Sequence, residues 1–178
     1  DWTEDHDWLY WKLSQAHARA VTIANELGVP CEFMPSFDHG ALRVLEYPPG
    51  AGSAPHTDMD LFTLNCWRNM PTQVNSADLP AHVRDVEPRM HIGELGELIG
   101  MGPATRHEVA PCHQVQHSIV YFAIPNHAAV LPSGQTVGEW LAERLARSRY
   151  TAGEGEGKAA VIPPSPDRAR ATIMAALE

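Results

Sequence analysis

His56, Thr57 and Asp58 lie between two hydrophobic runs, Leu42 to Tyr47 and Leu61 to Trp67, and His107 follows 49 positions after Asp58. Two imidazoles and one carboxylate on one side of an ion hold ferrous iron firmly while leaving coordination positions open for a substrate and dioxygen. The chemistry these residue types suit is metal-assisted oxidation. A chain with ten histidines readily produces a His-x-Asp tripeptide by chance, so the weight falls on the segments that carry this one.

Leu42-Arg43-Val44-Leu45-Glu46-Tyr47 reads as a strand, Pro48 to Ser53 as a turn-rich loop, and Leu61-Phe62-Thr63-Leu64-Asn65-Cys66-Trp67 as a second strand. Side chains i and i+2 of an extended segment project to the same side, so His56 and Asp58 can converge on one ion while Thr57 points away. The pair sits where a loop enters a sheet, a common place for function on a rigid scaffold. The same alternation puts Thr63, Asn65 and Trp67 on one face of the following strand and Phe62, Leu64, Cys66 and Arg68 on the other.

Several ordered motifs extend this pattern. Tyr47-Pro48-Pro49, Pro55-His56-Thr57-Asp58, Ile92-Gly93-Glu94-Leu95, Arg106-His107-Glu108-Val109, Ser118 before Ile119-Val120-Tyr121-Phe122, and Leu131 to Trp140 stand in sequence order. Together they resemble the isopenicillin N synthase-like branch of the non-haem iron, 2-oxoglutarate-dependent oxygenases, from about Leu42 to Tyr150. The resemblance implies an α+β fold, mainly β with flanking helices, around a double-stranded β-helix of the jelly-roll, cupin-like kind. It implies His56, Asp58 and His107 as ligands of Fe(II), with dioxygen as cosubstrate. It assigns Tyr47, position 116 and Ser118 to the far carboxylate of 2-oxoglutarate, and Thr63, Asn65 and Trp67 to the substrate pocket. The implied reaction oxidises an unactivated C–H bond of a small molecule by hydroxylation, desaturation or cyclisation.

One position departs from the family pattern. Where the family has arginine nine residues after the distal histidine, this chain has Gln116. A neutral amide replaces part of what a bidentate guanidinium gives a carboxylate, a difference on the order of 1.5 to 3 kcal/mol, or roughly tenfold to a hundredfold in affinity. Arg43, Arg68 and Arg106 are the cations nearest the core motifs. Two other readings therefore stand beside the first: an oxidase of the isopenicillin N synthase kind that needs no 2-oxo acid, and a non-catalytic module that keeps the metal or only the fold.

Composition bounds the partners. Thirteen basic and twenty-two acidic residues give a net charge of −9, and no basic patch with interleaved aromatics offers the cations that phosphate contacts need, so nucleic acid is not expected. No apolar stretch approaches the roughly 20 residues of a membrane span, and no signal-peptide pattern is present, so a cytoplasmic protein is expected. At 178 residues, 44% hydrophobic, a single domain over 1–178 is expected. Cys31, Cys66 and Cys112, odd in number and without a Cys-x-x-Cys, read as small buried hydrophobes.

Trp8 to Leu27 has apolar residues at helical spacing and stops at Gly28, so a helix over 8–27 is expected against one sheet. The β-helix core is expected over about 42–124, with a short turn or helix from Gly93 to Met101 and a last core strand over Val115 to Ile124 that sets His117 opposite to Gln116 and Ser118. Helices and a tail are expected over 137–178: Val137 to Arg147 opened by a Thr136/Glu139 capping box, a charged glycine-rich loop over 153–158, and a terminal helix capped by Asp167. Trp2, Trp8 and Trp11 are apolar enough to call for packing, within the chain or in a homodimer. His6, His17, His39, His82 and His113 read as surface or capping residues, His91 and His117 as neighbours of core motifs, and His127 as a residue near the pocket mouth.

Overall fold

Alternating apolar and polar residues over three segments build the main sheet of the computed structural model, which describes residues 2–68, 73–74, 90–111 and 113–152. The elements in chain order are α1 (Trp2–Glu26), a 3-10 turn (Cys31–Phe33), β1 (Ala41–Tyr47), β2 (Ser53–His56), β3 (Phe62–Arg68), β4 (Gln73–Val74), β5 (Met90–Ile92), α2 (Glu94–Leu98), β6 (His107–Val109), β7 (Gln116–Ala123) and α3 (Val137–Ala152). A four-stranded sheet has the order β1-β7-β3-β5 and a three-stranded sheet the order β2-β6-β4. All pairings are antiparallel. Successive strands are thus dealt between two sheets, the pattern of a jelly roll.

Directly paired residues of an antiparallel sheet share a face. One face of the main sheet carries Phe62, Leu64, Met90, Ile92, Tyr121 and Ala123, all buried, and packs with Ala16, Ala20, Ile23 and Ala24 of α1 in one core. The small alanines let the helix lie close to the sheet, and each large side chain so buried stabilises the fold by about 1.5 to 3 kcal/mol. The opposite face carries Thr63 and His91, which are paired with each other, and beyond them Phe122, Gln116, Arg43 and Tyr47. That second face looks toward the smaller sheet and is where chemistry can be housed.

Helix α1 begins at Trp2, earlier than the apolar spacing implied. It stops where expected: Gly28 takes φ 69, and the Val29 N–H donates to Ala24 O at 2.9 Å, a glycine-dependent helix end. The capping box of α3 is present, with Glu139 Oε2 accepting from Thr136 N at 2.8 Å and Thr136 Oγ1 accepting from Glu139 N at 3.2 Å. Trp11 remains 51% exposed rather than packed.

Cys31 and Cys66 are exposed, not buried. The first opens the surface 3-10 turn, and the second stands at a register shift near the end of β3. Among the described residues no helix is long and apolar enough to cross a membrane. Cys112, the glycine-rich loop at 153–158 and the terminal helix from Asp167 lie outside the described residues.

Candidate metal centre

Strand β2 ends at His56 and pairs with β6, which opens at His107, so the two imidazoles face each other across one pairing with ring centroids 4.3 Å apart. Asp58 follows β2 directly and reaches between them: Oδ1 is 3.6 Å from His56 Nε2 and Oδ2 is 3.7 Å from His107 Nε2. One donor atom from each of the three lies within 4.8 Å of the others. Two ligands at about 2.1 Å from an ion, at right angles, stand about 3 Å apart, so only small side-chain movements would close these three on a cation. Among the described residues they are the one such group of histidine, cysteine and carboxylate side chains.

The other ring nitrogens settle how the imidazoles are presented. His56 Nδ1 is 2.8 Å from Ala54 O, and His107 Nδ1 is 3.1 Å from Thr105 O. A carbonyl can only accept, so each Nδ1 carries the hydrogen and each Nε2 offers a lone pair to the centre. Burial, reinforced by the neighbouring His91, lowers the His107 pKa to about 4. Asp58 is held at about 2: burial pushes its carboxyl upward, but hydrogen bonds from His91 and Thr63 and the facing histidines outweigh it. His107 and Asp58 therefore stand in the protonation states that a divalent metal requires, and the donor set of two imidazoles and a carboxylate fits Fe(II).

His91 is the participant that sequence reasoning did not select. It is 2% exposed, its Nε2 donates to Asp58 Oδ2 at 2.8 Å, and its ring lies 4.0 Å from that of His107. Among the described residues its buried Nδ1 has no hydrogen-bond partner. Thr63 Oγ1 donates to the same Asp58 oxygen at 2.5 Å and lies 2.8 Å from Asp60 Oδ2. One hydroxyl hydrogen cannot serve two carboxylates; burial, aided by the charge of Asp58, raises the Asp60 pKa well above the usual range, so a proton on Asp60 completes the contact. The alternation of β3 was the available signal for Thr63. His91 had none, because its part depends on the pairing of β5 with β3.

The turn carrying Asp58 is fastened to α2. Glu94 N–H donates to Asp58 O at 2.8 Å, Leu95 N–H to Asp60 O at 3.0 Å, and Gly93 N–H to Leu61 O at 3.0 Å. Gly93 is extended there, not left-handed, and is needed for space: a Cβ would stand 2.1 Å from Asp60 Oδ1. Thr57, pointing away from the metal donors as expected, donates to Glu94 Oε1 at 2.5 Å. Arg144 of α3 grips the same carboxylate at 2.6 and 2.7 Å.

The remaining expected residues are placed as follows. Tyr47 and Gln116 are paired on the site face, and burial together with the charge of Asp58 raises the Tyr47 pKa. Gln116 is buried, and its Nε2 donates to Ala110 O at 2.8 Å. Ser118 lies on that face two residues along, opposite Leu45. Thr63 and Asn65 share the face as expected, paired with Phe122 and Val120. The register then shifts, setting Trp67 against Ile119 and Arg68 against Ser118, so the simple alternation ends at Asn65. His117 turns to the other face and meets Glu46 Oε2 at 3.1 Å. His17 is half-buried, its Nδ1 3.0 Å from the Tyr121 hydroxyl. His39 and His127 stack on each other, centroids 4.1 Å apart.

No family model and no curated protein matches this chain. Solved structures do. An oxygenase candidate from Shewanella oneidensis superposes with a TM-score of 0.60 at 22% identity, over 79% of this chain and 62% of that one. A full-length Neurospora crassa protein in complex with alpha-KG gives 0.56 at 20% identity, over 76% of this chain and 55% of its own length. A structure of the same Neurospora protein holding alpha-KG and thymine gives 0.55. The chain thus spans less than two thirds of these neighbours. What the likeness establishes is the fold, an α+β double-stranded β-helix.

Proposed function

We propose that this chain is an Fe(II)-dependent oxygenase that uses a 2-oxo acid to oxidise a C–H bond of a small organic molecule. The observation that carries the reading is the convergence of His56, Asp58 and His107, with both Nδ1 atoms committed to carbonyls and the carboxylate fixed by His91 and Thr63. It gains support from the Neurospora neighbour, whose structure contains alpha-KG. Bound iron would supply open coordination positions at which dioxygen is activated with electrons from the 2-oxo acid.

The chain's own residues perform the rest. His56, His107 and Asp58 hold the ion, His91 and Thr63 stop the carboxylate from rotating, and Tyr47 with Ser118 offers hydroxyls on the face where an organic acid would lie. Placement in the isopenicillin N synthase-like branch is part of the proposal and rests on the ordered motifs from Tyr47 to Trp140. The test is anaerobic loading with Fe(II) followed by 2-oxoglutarate, reading the visible difference spectrum, then oxygen uptake and succinate release. Stoichiometric metal binding with no spectral change and no succinate would reject the 2-oxo acid.

A second reading is favoured by Gln116. Its amide is spent on Ala110 O, so the position that would carry a cation in the family is neutral and occupied. An oxidase drawing all its electrons from substrate fits that arrangement, and oxygen uptake without a 2-oxo acid would select it.

A further inference from the structure

The face of the main sheet that carries Thr63 and His91 continues across β7 to β1. Thr63 is paired with Phe122 and Phe122 with Ala41, and Arg43 stands two residues further along β1 on the same side. Its guanidinium lies over the Phe122 ring, with Cζ 5.2 Å from the centroid. Neighbouring strands are about 4.8 Å apart, so this cation stands roughly one to two strand spacings from the column of Thr63, which holds Asp58.

Arg43 differs from Arg144, the basic residue fastened to the turn that carries Asp58. Among the described residues no carboxylate pairs with it. Arg144 is engaged by Glu94, and Arg106, exposed like Arg43, stands between Thr105 and His107, which are buried on the other side of the chain. A guanidinium held over an aromatic ring can still present N–H groups at its edge, the part that grips a carboxylate in two-point fashion.

We propose that Arg43, braced on Phe122, is the point at which this pocket binds the carboxylate of an organic acid, supplied by the far end of a 2-oxo acid or by the substrate itself. The inference rests on the reading of His56, Asp58 and His107 as a metal centre, since it takes their side of the sheet as the pocket.

The test uses the whole chain loaded with Mn(II), with binding measured by calorimetry. The probes are 2-oxoglutarate and 2-oxopentanoate, which share a head group but differ in the far carboxylate. Benzoate and benzamide, added to protein saturated with 2-oxoglutarate, form the second pair. Arg43→Gln should weaken one carboxylate probe roughly tenfold to a hundredfold and leave its uncharged counterpart unchanged, and Arg43→Lys should restore part of the loss. Loss confined to 2-oxoglutarate assigns the site to the cosubstrate; loss confined to benzoate assigns it to the substrate. Unchanged affinity for both carboxylates in Arg43→Gln overturns the proposal, as does a loss seen only in a parallel Arg68→Gln variant. A wild-type protein that holds Mn(II) but neither 2-oxo acid sinks the 2-oxo-acid reading separately, leaving the benzoate pair to decide Arg43.

Discussion

At the residue scale, His56, Asp58 and His91 should respond differently to removal. His56 is the most exposed, with its side chain 40% accessible, so His56→Ala should abolish metal binding with little change in stability. Asp58→Ala should also abolish it, but at about 1 to 3 kcal/mol of stability, because Thr63 and buried His91 lose an acceptor. Metal analysis and urea unfolding of both variants check this, and retained metal in either counts against the centre. His91→Ala should keep the metal but weaken it roughly tenfold to a hundredfold, the usual effect of removing a residue that orients a ligand; unchanged affinity would leave His91 a packing residue. His56, Asp58 and His107 were legible because donor type and i, i+2 spacing are local properties. His91 was not, since nothing in its neighbourhood announces that β5 will lie beside β3. Protons act on the same group. His107 titrates at about 4 when folded against 6.5 when unfolded, so its contribution to stability is present above 6.5 and lost as pH falls toward 4. Asp58, at about 2 against 3.8, loses its contribution only below 3.8. Asp60 has the opposite sign, gaining stability as pH falls through its raised pKa. The difference between wild type and His107→Gln in the metal-free protein isolates the first effect, and it should shrink between pH 7 and 5.

At the element scale, the site depends on how the turn at 58–61 is clamped by α2. Gly93→Ala would force a methyl group to within 2.1 Å of Asp60 Oδ1 and 2.3 Å of Asp60 O. Since the second contact is backbone, the turn must shift; a loss of about 1 to 3 kcal/mol is expected, with weaker metal binding because Asp58 moves with it. Unfolding and metal titration of the variant measure both, and a stability loss with intact metal affinity would separate the clamp from the site. The glycine was visible in the sequence as a bend residue, yet its physical reason, the close approach of the 58–61 turn, required the tertiary structure. Strands β1, β3 and β7 were legible from alternation, and the ends of α1 and α3 from Gly28 and from the Thr136/Glu139 pair. The register shift after Asn65 was not, because a bulge is a relation between two strands: the residues 62–68 alternate regardless, and only the pairing with Ile119 and Ser118 shows where the pattern breaks. The link from Thr57 through Glu94 to Arg144 was equally hidden, joining residues 87 positions apart in the chain.

At the scale of the whole molecule, His56 and His107 come from strands of the smaller sheet, while the residues that fix Asp58 belong to the larger one. The donors therefore meet only when both sheets are formed and facing, and the unfolded chain holds no comparable site. The jelly-roll architecture was foreseeable from the ordered motifs, and the solved structures share it at 20–22% identity, as expected if the fold is specified by patterning and turn chemistry more than by particular core residues. A metal that binds the folded state alone adds its binding energy to folding energy: at one hundred times the dissociation constant the gain is about 2.7 kcal/mol, growing logarithmically with concentration. Thermal unfolding with increasing Mn(II) should thus show a Tm that climbs with each tenfold rise in metal. The climb should vanish in Asp58→Ala and His107→Ala yet persist, displaced to higher concentration, in His91→Ala. Equal climbs in all four proteins would mean that the metal is bound at some other part of the surface, and the −9 charge of the chain makes that control necessary.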